Sequence, residues 1–296
     1  MREFPSCFGE SGVQVADSSG GGATGKHGQN LVTCVYRTPP AGRRRRPCSI
    51  TVAWSKTMTG RSFSLQIEDT AAGDCLWKID IKPWLFSGKK GSKSTAAEDG
   101  KIELFWDLSA AKFAGGGPEP LSGFYLAVVF DAEMALLLGD RNKEAYRRTG
   151  GATPTSGAAA CVWKKEHLFG KRVFSTAARF SAAGQPHEIA IECDAAAAQP
   201  PVGGPSLEIR IDRRRAVEVK RLAWKFRGNQ TILVDGVPVE VFWDVHRWLF
   251  GGGAPANAVF MFQSSTAGAA EKPSPLPEKK PRAAAFSLVL HAWRTE

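Results

Sequence analysis

Lys101-Ile102-Glu103-Leu104-Phe105-Trp106-Asp107-Leu108 and Val237-Pro238-Val239-Glu240-Val241-Phe242-Trp243-Asp244-Val245 are near-copies, each preceded by an Asp-Gly pair, Asp99-Gly100 and Asp235-Gly236. Side chains alternate between faces along a strand. Ile102, Leu104, Trp106 and Leu108 therefore share one apolar face, as do Val239, Val241, Trp243 and Val245. Phe105, Asp107, Phe242 and Asp244 point the other way, where Lys101, Glu103, Glu240 and His246 make the surface partly wet. On that side Phe105 and Phe242 are expected to cover a second apolar patch, and the two aspartates to accept backbone hydrogen bonds or pair with Arg or Lys.

The likeness extends beyond these strands. Phe242 follows Phe105 by 137 positions (242 minus 105), Trp224 follows Trp84 by 140 (224 minus 84) and Leu207 follows Leu65 by 142 (207 minus 65). Two matched halves follow, each a run of strands. Trp77, Ile79 and Ile81 obey one parity and Trp84 and Phe86 the other, and Val217 and Val219 likewise give way to Leu222, Trp224 and Phe226. Such a change reads as a β-bulge or strand bend, and Pro83 removes a ladder donor there in the first copy.

Short alternating or apolar runs separated by Gly, Pro, Asp and Ser fill both halves, which is a strand-and-turn signature. Lys143 to Arg148 offers a turn or two of helix, and no amphipathic helix of ordinary length is predicted. The expected fold is all-β: a large antiparallel β-sandwich built from two similar β-meander halves, with short helical turns in loops. A flexible leader is expected over residues 1–29, the first half over 30–148, a Gly/Ala/Thr/Pro/Ser connection over 149–160 and the second half over 161–296, sharing one core with the first. Two independent domains are the alternative. Lys164 to Gly170, holding His167, reads as a charged turn.

The chain has 296 residues, 43% hydrophobic, with nine Trp and 17 Phe, enough apolar payload for packed sheet faces. Its net charge of +10 favours acidic partners without selecting one. The charge gathers at Arg43, Arg44, Arg45 and Arg46, at Lys89, Lys90 and Lys93, and at Arg213, Arg214 and Arg215, all expected in turns as a candidate basic contact surface. Six cysteines show no CxxC or Cys/His ligand spacing, so neither a disulfide scaffold nor a zinc site is expected. With no signal-peptide core and no membrane-length apolar run, the expected location is cytoplasmic or nuclear.

No HExxH, Walker A, GxSxG or dinucleotide fingerprint occurs, and none of His27, His167, His187, His246 and His291 is tied to a nucleophile. His246 beside Asp244 is the one plausible local polar pair. No catalytic residue, cofactor or metal is assigned. Trp224-Lys225-Phe226-Arg227 is the best match to a nucleic-acid stacking platform, with Trp84 and Phe86 near Lys89 and Lys90 second. The functional expectation is a noncatalytic interaction or scaffold module for a protein partner. Alternatives are a lipid or small hydrophobe held in the sandwich, with basic loops on anionic headgroups, and nucleic-acid binding.

Val32-Thr33-Cys34-Val35-Tyr36, Ile50 to Lys56, Trp77 to Phe86, Phe105-Trp106-Asp107, Leu136 to Asp140, Leu222 to Gln230 and Val241 to His246 together resemble the plant domain-of-unknown-function family 868, over nearly everything after residue 30. The resemblance implies no catalytic motif and no mechanism. The tetra-arginine run departs from the family's usual pattern and reads as a nuclear-import signal private to this chain.

Overall fold

The computed structural model describes residues 28–42, 46–82, 88–97, 100–114, 117–155, 157–181, 184–194, 204–251, 256–264 and 286–295. The leader therefore lies almost wholly outside the described residues, as do Trp84, Phe86, Arg43, Arg44 and Arg45. The first half contains β1 (Gly28–Arg37), β2 (Cys48–Thr57), β3 (Gly60–Asp69), β4 (Cys75–Ile81), β5 (Lys90–Ala97), β6 (Gly100–Asp107), β7 (Lys112–Phe113), β8 (Pro120–Ser122), β9 (Tyr125–Phe130), β10 (Glu133–Gly139), α1 (Asn142–Arg148) and β11 (Thr153–Pro154). The second contains β12 (Ala160–Gly170), β13 (Val173–Ala178), β14 (His187–Asp194), β15 (Ser206–Ile211), β16 (Arg214–Val219), β17 (Arg227–Val234), β18 (Val237–Asp244), α2 (His246–Phe250), β19 (Asn257–Ser264) and β20 (Phe286–Arg294).

The fold is all-β with antiparallel sheets. A nine-stranded sheet runs β17-β18-β19-β20-β12-β1-β2-β3-β4, beside a five-stranded sheet β11-β10-β9-β6-β5 and a four-stranded sheet β13-β14-β15-β16. Two contacts are parallel, β12 with β20 and β10 with β11. Ridged apolar faces must be covered to bury their side chains. Val32, Val52, Trp54 and Leu65 of the nine-stranded sheet pack with Leu104, Trp106 and Leu126 of the five-stranded sheet. Val241, Trp243, Phe260 and Leu290 pack with Ile189, Ile191 and Ile209 of the four-stranded sheet. The long sheet thus runs through two of the three buried apolar clusters, the third lying between the five-stranded sheet and α1.

Strand register fixes where the two covering sheets sit. Val32 pairs with Glu166, and Glu166 pairs with Leu290. Directly paired residues share a face, so both clusters lie on one side of the nine-stranded sheet. Between them β12 presents Lys164 and Glu166 instead of apolar residues. Lys164 Nζ lies 2.7 Å from Glu166 and 2.9 Å from Glu119, while Gln29 and Thr176 donate to Glu166 Oε2. Burial alone would drive the Lys164 ammonium toward its neutral form, but Glu166 and Glu119 outweigh it and raise its proton affinity above that of an ordinary lysine. Lys164 to Gly170 is consequently not a charged turn. Its charges pair across the seam, which lets them occupy the middle of a central strand.

A common set of contacts recurs at an offset of 137 positions. Gly91 lies against Trp106 and Gly228 against Trp243. Leu108 N–H donates to Lys89 O at 2.7 Å and Val245 N–H to Phe226 O at 2.9 Å. Asp107 pairs with Lys90 at 3.2 Å, and Asp244 with Arg227 at 2.8 Å.

Candidate functional site

Among the described residues, the side chains on the other face of the nine-stranded sheet join none of the three buried apolar clusters. Alternation sends Ser, Thr, Ala and Gln of β2 and β3 onto it at one side, and a mostly apolar strip through its middle. Trp163, Lys165, His167 and Phe169 come from β12, and their register neighbours Ser287, Val289, His291 and Trp293 from β20. Val259 and Met261 of β19 and Phe242 of β18 continue the strip. Most of these side chains are only half-buried, shielding one another.

The strip is ordered by its own ring contacts. His167 stacks on His291 with centroids 5.2 Å apart, Trp293 lies 6.3 Å from His167, and Phe169 stacks on Trp293 at 6.4 Å. Burial pushes both imidazoles down to about 4 from the usual 6.5, Lys165 adding to the effect, so at neutral pH the strip carries uncharged histidines. His167 Nε2 and Trp293 Nε1 are buried without a hydrogen-bond partner among the described residues. Buried polar atoms are ordinarily satisfied, so this pair marks hydrogen-bonding capacity held at the surface of an apolar patch.

A second aromatic group stands at the end of β17 and β18. Trp224 is 87% exposed and Phe250 52% exposed. Phe226, His246 and Phe250 form a mutual cluster with centroids 5.2 to 5.6 Å apart. The strand expected over Leu222 to Phe226 is a turn instead. Arg221 takes φ +54° and its carbonyl accepts Trp224 N–H at 2.9 Å, which buries Leu222 and throws Trp224 outward. The parity change of the second copy is thus chain departure from β16, not a bulge. The corresponding Pro83 to Phe86 segment lies outside the described residues.

Trp106 and Trp243 are buried, and their indole N–H groups donate to Gly88 O at 3.5 Å and Lys225 O at 3.0 Å. Phe105 packs in a cluster with Tyr125, Ala145 and Tyr146 beneath α1, whereas Phe242 lies on the strip. Asp107 accepts Ser109 N–H, and Asp244 accepts His246 N–H, each at 3.0 Å. Burial would raise the Asp107 carboxyl, but its Ser109 and Lys90 partners hold it below the usual carboxylate range. His246 does not share a strand face with Asp244. It opens α2, and its ring turns to Phe226 and Phe250.

Of the candidate basic residues, those described are held in part by carboxylates. Arg46 lies 3.7 Å from Asp69, Lys90 bridges Asp107 and Glu144, and Arg215 pairs with Glu218. Lys89 and Lys93 are exposed on the first half, and Arg213 occupies the β15–β16 turn of the second at φ +65°. Among the described residues no group of His, Cys, Asp and Glu could hold a metal ion. No described helix is long and apolar enough to cross a membrane. The strip is not legible in the sequence, because the charges of Lys164, Lys165 and Glu166 resemble those of a turn. Its signal was the alternation of Trp163, His167 and Phe169 with Lys164, Glu166 and Leu168.

Residues 27–294 match the family model described as "Plant protein of unknown function (DUF868)". No curated protein and no solved structure matches the chain.

Proposed function

The chain belongs to DUF868, a plant family of unknown function, and we propose that it is a noncatalytic interaction module that binds a protein partner across the open face of its nine-stranded sheet. The observation that carries this reading is the half-buried strip Trp163, His167, Phe169, His291 and Trp293 at the centre of that face, outside all three buried apolar clusters. Apolar patches at a protein surface mark contact sites, and aromatic residues are enriched in interface centres. The surplus of positive charge favours an acidic rim on the partner. A nucleic acid needs several phosphate contacts for affinity, and within the strip the cation is Lys165. A small hydrophobe in the seam cavity of about 380 Å³ would meet Leu121, Leu168 and Phe174 but would also sit against the charged Glu119, Lys164 and Glu166.

Affinity capture from plant extract should return a partner with the wild-type chain and lose it with Trp163→Asp/Trp293→Asp. Identical recovery by both, with both folded, overturns the reading. Native mass spectrometry of the same preparation tests the carrier alternative, which requires a stoichiometric retained lipid. The proposed location is the cytoplasm or nucleus, supported by the reduced thiols of Cys34, Cys75, Cys161 and Cys193. A fluorescent fusion entering the secretory pathway would refute it.

A further inference from the structure

Cys34 and Cys161 are brought together by an irregularity in the ladder that joins the two halves of the chain. β1 and β12 run antiparallel, with Cys34 opposite Lys164 and Tyr36 opposite Cys161, and the register slips between Val35 and Tyr36. In a regular strand Cys161 and Lys164, three positions apart, would point to opposite faces. The slip makes Val162 the extra residue of a β-bulge, which turns the Cys161 side chain to the covered face beside Cys34. Cys161 packs there against the apolar cluster that contains Cys34, and the two thiols are in hydrogen-bond contact.

The two sulfurs differ in their surroundings. Cys34 is 1% exposed, with Sγ 3.8 Å from Glu119 Oε1, whereas Cys161 is half-buried next to the exposed Ala160 that begins β12. The Cys34 contact and the Lys164 ammonium hold the Cys161 thiol below its ordinary proton affinity against the opposing effect of burial. The same contact, burial and the Glu119 carboxylate push Cys34 well above its own. Lys164 keeps its charge because Glu166 and Glu119 lie 2.7 and 2.9 Å away. The thiolate is the reactive form of cysteine. The pair is therefore divided into an attacking sulfur nearer the surface and a protonated one behind it.

We propose that Cys161 is a hydroperoxide-reactive cysteine and Cys34 its resolving partner, so that the two close a reversible disulfide between β1 and β12. The Cys161 thiolate attacks the nearer peroxide oxygen. An S–O bond forms, the O–O bond breaks and the leaving oxygen takes a proton, becoming water from hydrogen peroxide or an alcohol from an organic hydroperoxide. Cys161 is left as a sulfenic acid, which condenses with a neighbouring thiol. The Cys34 sulfur attacks the Cys161 sulfur, the S–S bond forms, the S–O bond breaks, and hydroxide leaves as water with the Cys34 proton, which Glu119 Oε1 is placed to relay. Two thiols have then given two electrons and two protons to one peroxide. A thiol reductant such as reduced glutathione reverses the link by exchange. The bond ties the two halves of the nine-stranded sheet together at the ladder where they meet.

The reduced full chain, treated with a few equivalents of hydrogen peroxide, then alkylated, digested and analysed by mass spectrometry, should give the Cys34–Cys161 peptide pair as its principal crosslink, absent after dithiothreitol. Dimedone should label Cys161 about tenfold or more in Cys34→Ala than in wild type, because the sulfenic acid then persists. Cys75, exposed on β4, reports unspecific oxidation and should label after Cys161. The crosslink is read on the wild-type chain, so the test does not depend on the folding of Cys34→Ala. A different principal crosslink, Cys75 labelled ahead of Cys161, or a folded Cys34→Ala variant that gains no label overturns the proposal.

Discussion

Gly228 lies flat against the indole of Trp243: a Cβ on it would sit 2.4 Å from Cζ2, and Gly91 stands 2.6 Å from Trp106 by the same measure. Each glycine makes room for a tryptophan of the neighbouring strand, which fills its core while its N–H reaches a carbonyl just before the glycine's own strand. Adding one methyl to either glycine forces backbone or indole to move. Gly91→Ala and Gly228→Ala should each cost about 1–3 kcal/mol by overpacking, and Trp106→Ala and Trp243→Ala about 3–5 kcal/mol. Equilibrium unfolding in urea checks both. A loss below about 1 kcal/mol for the tryptophans would show that the motif is not core.

Leu222 and Trp224 should respond oppositely although one residue separates them. Leu222→Ala should cost about 2–5 kcal/mol, because the side chain is fully buried. Trp224→Ala should stay within about 0.5 kcal/mol. Quenching of tryptophan fluorescence by iodide should fall in Trp224→Phe, since among the described residues this indole is the most exposed large apolar group after Met58.

Acid should weaken the fold through the stacked histidines. Both imidazoles hold a folded value of about 4 against an ordinary 6.5, so the unfolded chain binds protons first as pH falls. Stability present above pH 6.5 is then lost progressively down to about pH 4, and no further through these groups below it. Partial exposure discounts the effect to about 1–2 kcal/mol for each ring. His167→Asn/His291→Asn should flatten urea-unfolding stability over that window. An unchanged slope would show that the rings titrate normally. Asp107, held below its ordinary value, contributes separately at lower pH.

Lys164→Met should cost about 3–5 kcal/mol, because it strands the Glu166 carboxylate in a buried seam. Adding Glu166→Gln should return part of that loss, giving a double-mutant cycle far from additive. Additive losses would mean that the two side chains do not share one network.

The all-β class was legible because alternation and turn residues point the same way in most strands. Trp106 and Trp243 could be set on an apolar face from neighbours two residues away. The central strand β12 was not legible, since Lys164, Lys165, Glu166 and His167 carry no apolar period and the partners that neutralise them come from β1, β13 and the Glu119 loop. The edge strands β5 and β17 were hidden for a different reason. Small and polar residues such as Gly91, Ser92, Gly228 and Asn229 suit a strand that needs to shelter a tryptophan and only half a surface. Trp224 was misplaced because Leu222, Trp224 and Phe226 imitate strand parity across a turn that needs a positive φ at Arg221.

The keystone position of β20 has a mechanical consequence. Although it follows every other described strand in sequence, it lies between β19 and β12. Severing its ladder with β12 would divide the long sheet into a four-strand and a five-strand piece, so force applied between the halves loads that one parallel junction first.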